Sequence, residues 1–230
     1  MNICGYQKTT LLDYPGHVAA TIFTGGCNFR CPFCHNSDLV FNPSSSNLIP
    51  EEEIFKFLKK RKNVLSGICI TGGEPTLQTD LAEFIKKARS LGYKIKLDTN
   101  GYRPDIISDL LEQNLLDYIA MDIKAGLSNY SNVCGIAGLN IEGIKKSISI
   151  IETSNIEYEF RTTAVKELHT HRDFYEISQI LSPESSYFIQ SFKDSGNILL
   201  PGLSSCNTET LNEYLSIVKA NIPNSFLRGV

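Results

Sequence analysis

The chain holds no apolar stretch long enough to cross a membrane, which would take about 20 residues. It has no long run of one charge sign either. Its 22 basic and 25 acidic residues leave a formal net charge of −3. That balance lacks the cationic footprint of a broad nucleic-acid binder, so neither membrane nor nucleic acid is expected as a partner. The stretch from Met1 to Lys8 has no apolar signal-peptide core, and a cytoplasmic protein is expected. No internal repeat or boundary divides the 230 residues, so one domain over 1–230 is expected, large enough for a full hydrophobic core. The seven cysteines are odd in number and unevenly spaced, which gives no disulfide framework.

Three of those cysteines crowd one loop. Cys27-Asn28-Phe29-Arg30-Cys31-Pro32-Phe33-Cys34 reads C-x3-C-x2-C within residues 25–36. Three thiolates can ligate three irons of a cubic 4Fe–4S cluster, and no fourth cysteine is near in sequence. An iron without a protein ligand is open to a small molecule. Clusters kept only for electron transfer normally have a full set of cysteines, so this loop points to chemistry. The competing reading adds His35 and makes a structural zinc site, although such sites usually split their ligands between two knuckles. Cys4, Cys69, Cys134 and Cys206 are scattered. Cys69, between Ile68 and Ile70, reads as a small core residue. No second cluster is expected from the others.

Strand and helix signals alternate along the chain. Residues 18–23 form a short β-branched run that feeds into the cysteine loop. Ser44, Ser45 and Ser46 mark a loop. Pro50 and the acids at 51–53 open a helix that ends in the basic run 59–62. Strands are expected at 67–71, 93–97, 118–121, 156–163 and 187–190. Helices are expected from Thr79 or Asp80, from Pro104, over 140–152, over 174–181 and over 208–220. About six β–α units imply an α/β fold with a parallel sheet and outer crossover helices. Six suit an open, partial (β/α)6 TIM-like barrel rather than a full eight-unit one. The segments 44–47 and 128–140 read as insertions or lids.

Polar residues gather where those strands end, which is where parallel α/β proteins place function. The second strand runs into Thr71-Gly72-Gly73-Glu74-Pro75, the third into Asp98-Thr99-Asn100-Gly101 and the fourth into Asp122-Ile123-Lys124. Arg161-Thr162-Thr163 lies in the fifth and Gln190 ends the sixth. The glycine pair lets backbone approach a ligand or extend the sheet edge. Glu74 could accept from an ammonium, while Lys124 and Arg161 could pair with a carboxylate. Asp98 and Asp122 end neighbouring strands, and such carboxylates repel unless a proton, cation or donor lies between them. Taken singly, each of these motifs is also an ordinary turn or a solvated side chain.

The cysteine loop, with an aromatic residue (Phe33) before its third cysteine, followed by Gly72-Gly73-Glu74, resembles the radical S-adenosylmethionine (SAM) superfamily. Cys34-His35-Asn36, Asp98-Thr99-Asn100-Gly101 and Asp122-Ile123-Lys124 are similar to glycyl-radical-enzyme activating enzymes such as the pyruvate formate-lyase activase. The run from Gln7 to Gly16 and Arg161-Thr162-Thr163 are more similar still to anaerobic ribonucleoside-triphosphate reductase activating proteins. The resemblance implies that Cys27, Cys31 and Cys34 hold a 4Fe–4S cluster whose unique iron is chelated by SAM. Gly72, Gly73 and Glu74 would then contact the methionyl amino group. Phe33 would lie near the adenine, and Lys124 and Arg161 at the methionyl carboxylate or ribose. Asp98, Thr99 and Asp122 match positions that hold a monovalent cation, Na+ or K+, in the pyruvate formate-lyase activase. Where that enzyme has a histidine late in the barrel, this chain offers Gln190 or Lys193 for the ribose contact. No ferredoxin-like cysteine insert is present, so one cluster is expected.

The implied enzyme is a radical SAM oxidoreductase. A reduced cluster donates one electron to the sulfonium, the S–C5′ bond breaks, and a 5′-deoxyadenosyl radical takes a hydrogen atom from a glycine of a partner enzyme. The expected partners are anaerobic ribonucleotide reductase and a one-electron donor such as flavodoxin or ferredoxin. No general base is needed, which suits a chain with four histidines. His169 and His171 read as surface residues. The alternatives are a radical SAM enzyme for a small molecule, like the 7-carboxy-7-deazaguanine synthase of queuosine biosynthesis, and a zinc-binding interaction module.

Overall fold

A computed structural model describes residues 1–41, 48–194 and 196–230. The expected Ser44–Ser46 loop and the 44–47 insertion lie outside the described residues. The chain begins with β1 (Ile3–Thr10) and β2 (Ala19–Thr24), followed by the short helix α1 (Ser37–Val40). Alternation then sets in: α2 (Glu51–Arg61), β3 (Gly67–Gly72), α3 (Leu81–Ser90), β4 (Lys94–Thr99), α4 (Pro104–Glu112) and β5 (Tyr118–Asp122). The rest is α5 (Tyr130–Cys134), α6 (Ile141–Glu152), β6 (Glu157–Ala164), α7 (His171–Ile180), β7 (Tyr187–Ser191), α8 (Thr208–Lys219) and β8 (Ser225–Arg228).

The eight strands make one sheet in chain order, β1 to β8. β1 pairs antiparallel with β2, and every later pairing is parallel. No ladder joins β8 to β1 among the described residues, so the sheet is an open, partial barrel. The six expected β–α units are present from β2 to α8. The two strands that the sequence reading did not expect flank them. β1 is a half-exposed edge strand whose pairing slips twice, which hides its period. β8 has four residues, too few for a periodic signal.

The strands alternate sides, and the two faces differ sharply. Ile22, Ile70, Ile95, Leu97, Ile119, Phe160 and Ile189 are buried in the main core, together with Ile54, Phe84, Ile107, Ile148 and Ile177 from the helices. The opposite face lines the barrel interior and carries Lys96, Asp98, Asp122, Glu159, Arg161 and Arg228. Tyr14 stops the lower end. It packs with Ala19, Tyr118 and Ala120, and a side chain on Gly67 would fall 2.7 Å from its ring. Local chemistry sets the helix starts. Asn140 accepts from the Glu142 amide, and Thr170 and Asp173 form a capping box that starts α7 at His171. That cap explains why α7 begins three residues before the expected 174.

The expected insertion at 128–140 is instead a packed element. Tyr130, Val133 and Cys134 of α5 are fully buried.

Candidate functional site

The cysteine loop leaves β2 at Thr24 and is pinned by backbone bonds to several elements. Gly25 donates to the Asn2 carbonyl (2.8 Å), Gly26 to Leu39 (2.7 Å), Arg30 to Cys134 (2.8 Å), and Leu200 donates to Pro32 (2.9 Å). The Arg30 guanidinium closes the turn on the carbonyls of Cys27 (2.6 Å) and Phe29 (2.7 Å). Cys27, Cys31 and Cys34 thereby line one solvent-open recess of about 210 Å³. Phe33, Gly72, Gly73, Glu74, Asp98, Thr99, Asp122, Lys124 and Arg161 line it too. Gln190 is not in the lining; it sits on β7 beside Thr163 of β6 and Arg228 of β8. Lys193, the other expected ribose contact, is exposed.

Cys134, scattered from the loop in sequence, comes up to it in the fold. It lies in α5, fully buried. The Cys134 thiol, aided by Lys124, holds the Cys31 thiol below its usual range against the effect of burial. Burial pushes Cys27 up to about 12 and raises Cys34, with Lys124 opposing it at both. Among the described residues no three of His, Cys, Asp and Glu converge on a point that would hold a single metal ion. His35 instead stacks on Phe192 at 5.3 Å. This arrangement does not favour the zinc reading. A cubane offers each thiolate a separate iron and needs no such convergence.

The Gly72-Gly73 pair is explained by the protein's own backbone. Gly72 has φ +113°, and a Cβ there would lie 2.5 Å from the Thr24 backbone. A Cβ on Gly73 would lie 2.1 Å from the Gly26 carbonyl oxygen. The amides of Gly73 and Glu74 continue the β2–β3 ladder to Thr24 and Gly26, each at 2.8 Å. Glu74 is 1 % exposed. Its Oε1 accepts from the Thr76 amide (3.1 Å), the Thr76 hydroxyl (2.6 Å) and the Thr99 hydroxyl (2.8 Å). Its Oε2 accepts from the Asn100 amide at 2.7 Å. Burial raises its pKa while those donors oppose the rise. Glu74 thus ties the exit of β3 to that of β4, with one lone pair of Oε2 left over. Asn100 also donates to Asn28 Oδ1 at 2.8 Å, and the buried Nδ2 of Asn28 has no protein partner.

Asp98 and Asp122 are neighbours as expected, and the donor between them is Arg161. Its Nε lies 2.7 Å from Asp122 and its terminal nitrogens 3.3 Å from Asp98. Lys96 pairs with Asp98, and Lys124 with Asp122 at 2.9 Å. Both carboxyls are half-buried, and that withdrawal from water alone would raise them, yet Arg161 and the lysines hold them below the usual carboxylate range.

His169 is not the expected surface residue. It is 3 % exposed, with Nε2 2.8 Å from the Lys124 carbonyl and Nδ1 3.1 Å from the Val165 amide. Its ring meets the edge of Phe33 at 6.3 Å. It therefore braces two recess residues at once. The expected surface position holds for His171, which opens α7. Lys96 was legible as the strand neighbour two residues before Asp98. Nothing in the sequence marked His169, Cys134 or Asn28 as parts of this site.

Comparison with known proteins supports the same reading. The signature of the Radical SAM superfamily matches residues 21–177. A protein of Methanocaldococcus jannaschii named "Putative glycyl-radical enzyme activating enzyme" is 33 % identical over 99 % of this chain and 96 % of its own. Among solved structures, Escherichia coli QueE superposes with a TM-score of 0.58 at 14 % identity, covering 98 % of this chain and 91 % of its own. Streptococcus suis SuiB bound to S-adenosylmethionine gives 0.63 at 17 %, over 89 % of this chain and 48 % of its own. These two likenesses speak for the fold alone.

Proposed function

The chain belongs to the radical SAM superfamily, and from that premise we propose that it is an activase that generates a glycyl radical on a partner enzyme. The carrying observation is the meeting of Cys27, Cys31 and Cys34 with Lys124 and Arg161 around one recess. The residues present suit the cofactors that the family implies. Three thiols face the recess, Lys124 favours their thiolate forms, and the orphaned Asn28 amide lies on the same loop. Cys27, Cys31 and Cys34 would hold a 4Fe–4S cluster there, and that group would supply the one-electron chemistry of reductive SAM cleavage.

The protein's own residues position and shield. Lys124 and Arg161 present cations to the carboxylate or ribose of SAM. Phe33, braced by His169, offers an aromatic surface to the adenine. The carbonyl edge at Gly72 and Gly73 and the spare lone pair of Glu74 are the available acceptors for the methionyl ammonium. Gln190 on the inner face of β7 stands behind this shell. In our reading Arg161 neutralises Asp98 and Asp122, so a Na+ or K+ at Asp98, Thr99 and Asp122 would have to displace it. The activase reading rests on the full-length likeness to the M. jannaschii protein, and the choice of an anaerobic ribonucleotide reductase as partner rests on the Gln7–Gly16 and Arg161–Thr163 motifs. A flavodoxin or ferredoxin would deliver the electron.

The test is anaerobic. The protein is loaded with iron and sulfide, reduced and mixed with SAM, and 5′-deoxyadenosine is quantified beside a Cys31→Ala control. About four irons per chain and Cys31-dependent product are expected. Adding the candidate reductase should give a glycyl doublet by electron paramagnetic resonance. Cleavage without that doublet would remove the partner assignment and favour a small-molecule substrate.

A further inference from the structure

Below the recess the barrel interior carries a chain of ion pairs that runs to the last strand. Arg228 of β8 grips Glu159 with two parallel bonds, Nη1 to Oε1 at 3.0 Å and Nη2 to Oε2 at 2.8 Å. Its guanidinium also lies 3.8 Å from the centre of the Phe188 ring. Glu159 is 2 % exposed and accepts from the Tyr118 hydroxyl at 3.2 Å. Its other basic neighbour is Arg161, whose Nη1 stands 3.8 Å from Oε1. Arg161 is therefore shared between a buried carboxylate below it and the Asp98–Asp122 pair at the recess.

A buried carboxylate takes whatever cation it can reach, because leaving it unpaired in a low dielectric is costly. Arg228 satisfies Glu159 in the strong fork geometry. That leaves Arg161 at the long end of its contact with Glu159 and at 2.7 Å from Asp122. Without Arg228, Glu159 would keep only Arg161 as a basic ion-pair partner among the described residues. Arg161 would then be drawn down, away from the recess.

We propose that Arg228 is a positioning residue for the SAM site: by occupying Glu159 it holds Arg161 up at the recess. The proposal rests on the assignment of Arg161 to SAM given above. Arg228 touches no substrate itself, and it sits in a strand that no recess motif includes.

The experiment measures SAM affinity by anaerobic calorimetry on the cluster-loaded protein, with iron content and melting temperature recorded for every variant. Arg228→Ala is expected to weaken SAM binding about tenfold, within the range of coupling between contacting charges. Arg228→Lys should recover part of that loss. Glu159→Gln alone should bind SAM within about twofold of the natural protein, since Arg161 then has no competing carboxylate. The Arg228→Ala/Glu159→Gln double variant should regain the affinity that Arg228→Ala lost, whereas a role in packing alone would add the two losses. No recovery in the double variant, or a tenfold loss from Glu159→Gln alone, overturns the proposal. Arg161→Met separates the two levels. If it leaves SAM binding unchanged, the assignment of Arg161 fails and the proposal with it. If it weakens binding while Arg228→Ala does not, only the proposal fails.

Discussion

Four donors converge on the carboxylate of Glu74, and none of them has a second partner of equal standing in the site. Glu74→Ala strands buried donors at about 1–3 kcal/mol each. A net loss of about 3 kcal/mol is expected, lowering the melting temperature by roughly 6–12 °C for a chain of this size. Thermal unfolding under anaerobic conditions checks it, and a change under 2 °C would show that the carboxylate is not a strut. His169 gives a pH signature. Burial holds its pKa below the ordinary imidazole value, so the unfolded chain binds the proton more readily. Its contribution to stability is complete above about pH 6.5 and is lost as pH falls through the lower folded value. Denaturant midpoints measured from pH 8 to 5 should fall, and His169→Gln should flatten that slope. The contiguous cysteines, Lys124 and Arg161 were legible in sequence because loop and strand-end positions announce themselves. His169 and Cys134 were not, since only the folded chain brings them to Lys124 and Cys31.

Helices and strands carry these residues, and two glycines show how tightly. Gly135 ends α5 at φ +65°, and a Cβ there would fall 2.4 Å from the Arg30 carbonyl oxygen. Gly135→Ala should push α5 off the stretch from Arg30 to Cys31. Iron bound after reconstitution is expected to drop by about half or more, on the reasoning that such sites tolerate displacements of only about 0.5 Å. Undiminished iron would mean that α5 does not support the loop. The sequence reading found the six β–α units because buried parallel strands and amphipathic helices have strong periods. It passed over α5, whose five residues make little more than one turn. It also passed over β1 and β8, whose places are fixed by the neighbouring strand rather than by a pattern of their own.

At the scale of the molecule the barrel interior is a polar column enclosed by an apolar shell. Arg161 and the lysines depress Asp98 and Asp122, so these carboxylates stabilise the fold above their unfolded value near 3.8 and lose that contribution as pH falls further. Arg161→Met removes the shared cation. The acid-unfolding midpoint should then rise by about one pH unit, as expected when an opposite charge is lost beside a carboxylate; circular dichroism during acid titration reads it, and an unmoved midpoint would contradict the ion-pair account. The sheet lies in strict chain order from β1 to β8, so each strand finds its neighbour already made as synthesis proceeds. The cysteines emerge with the second strand and Arg228 with the eighth. At about 5–20 residues per second, roughly 10–40 s of translation separate Cys34 from Arg228. For that interval the thiols exist before Arg228 is there to pair with Glu159, so the last ion pair of the column closes only when the final strand is made.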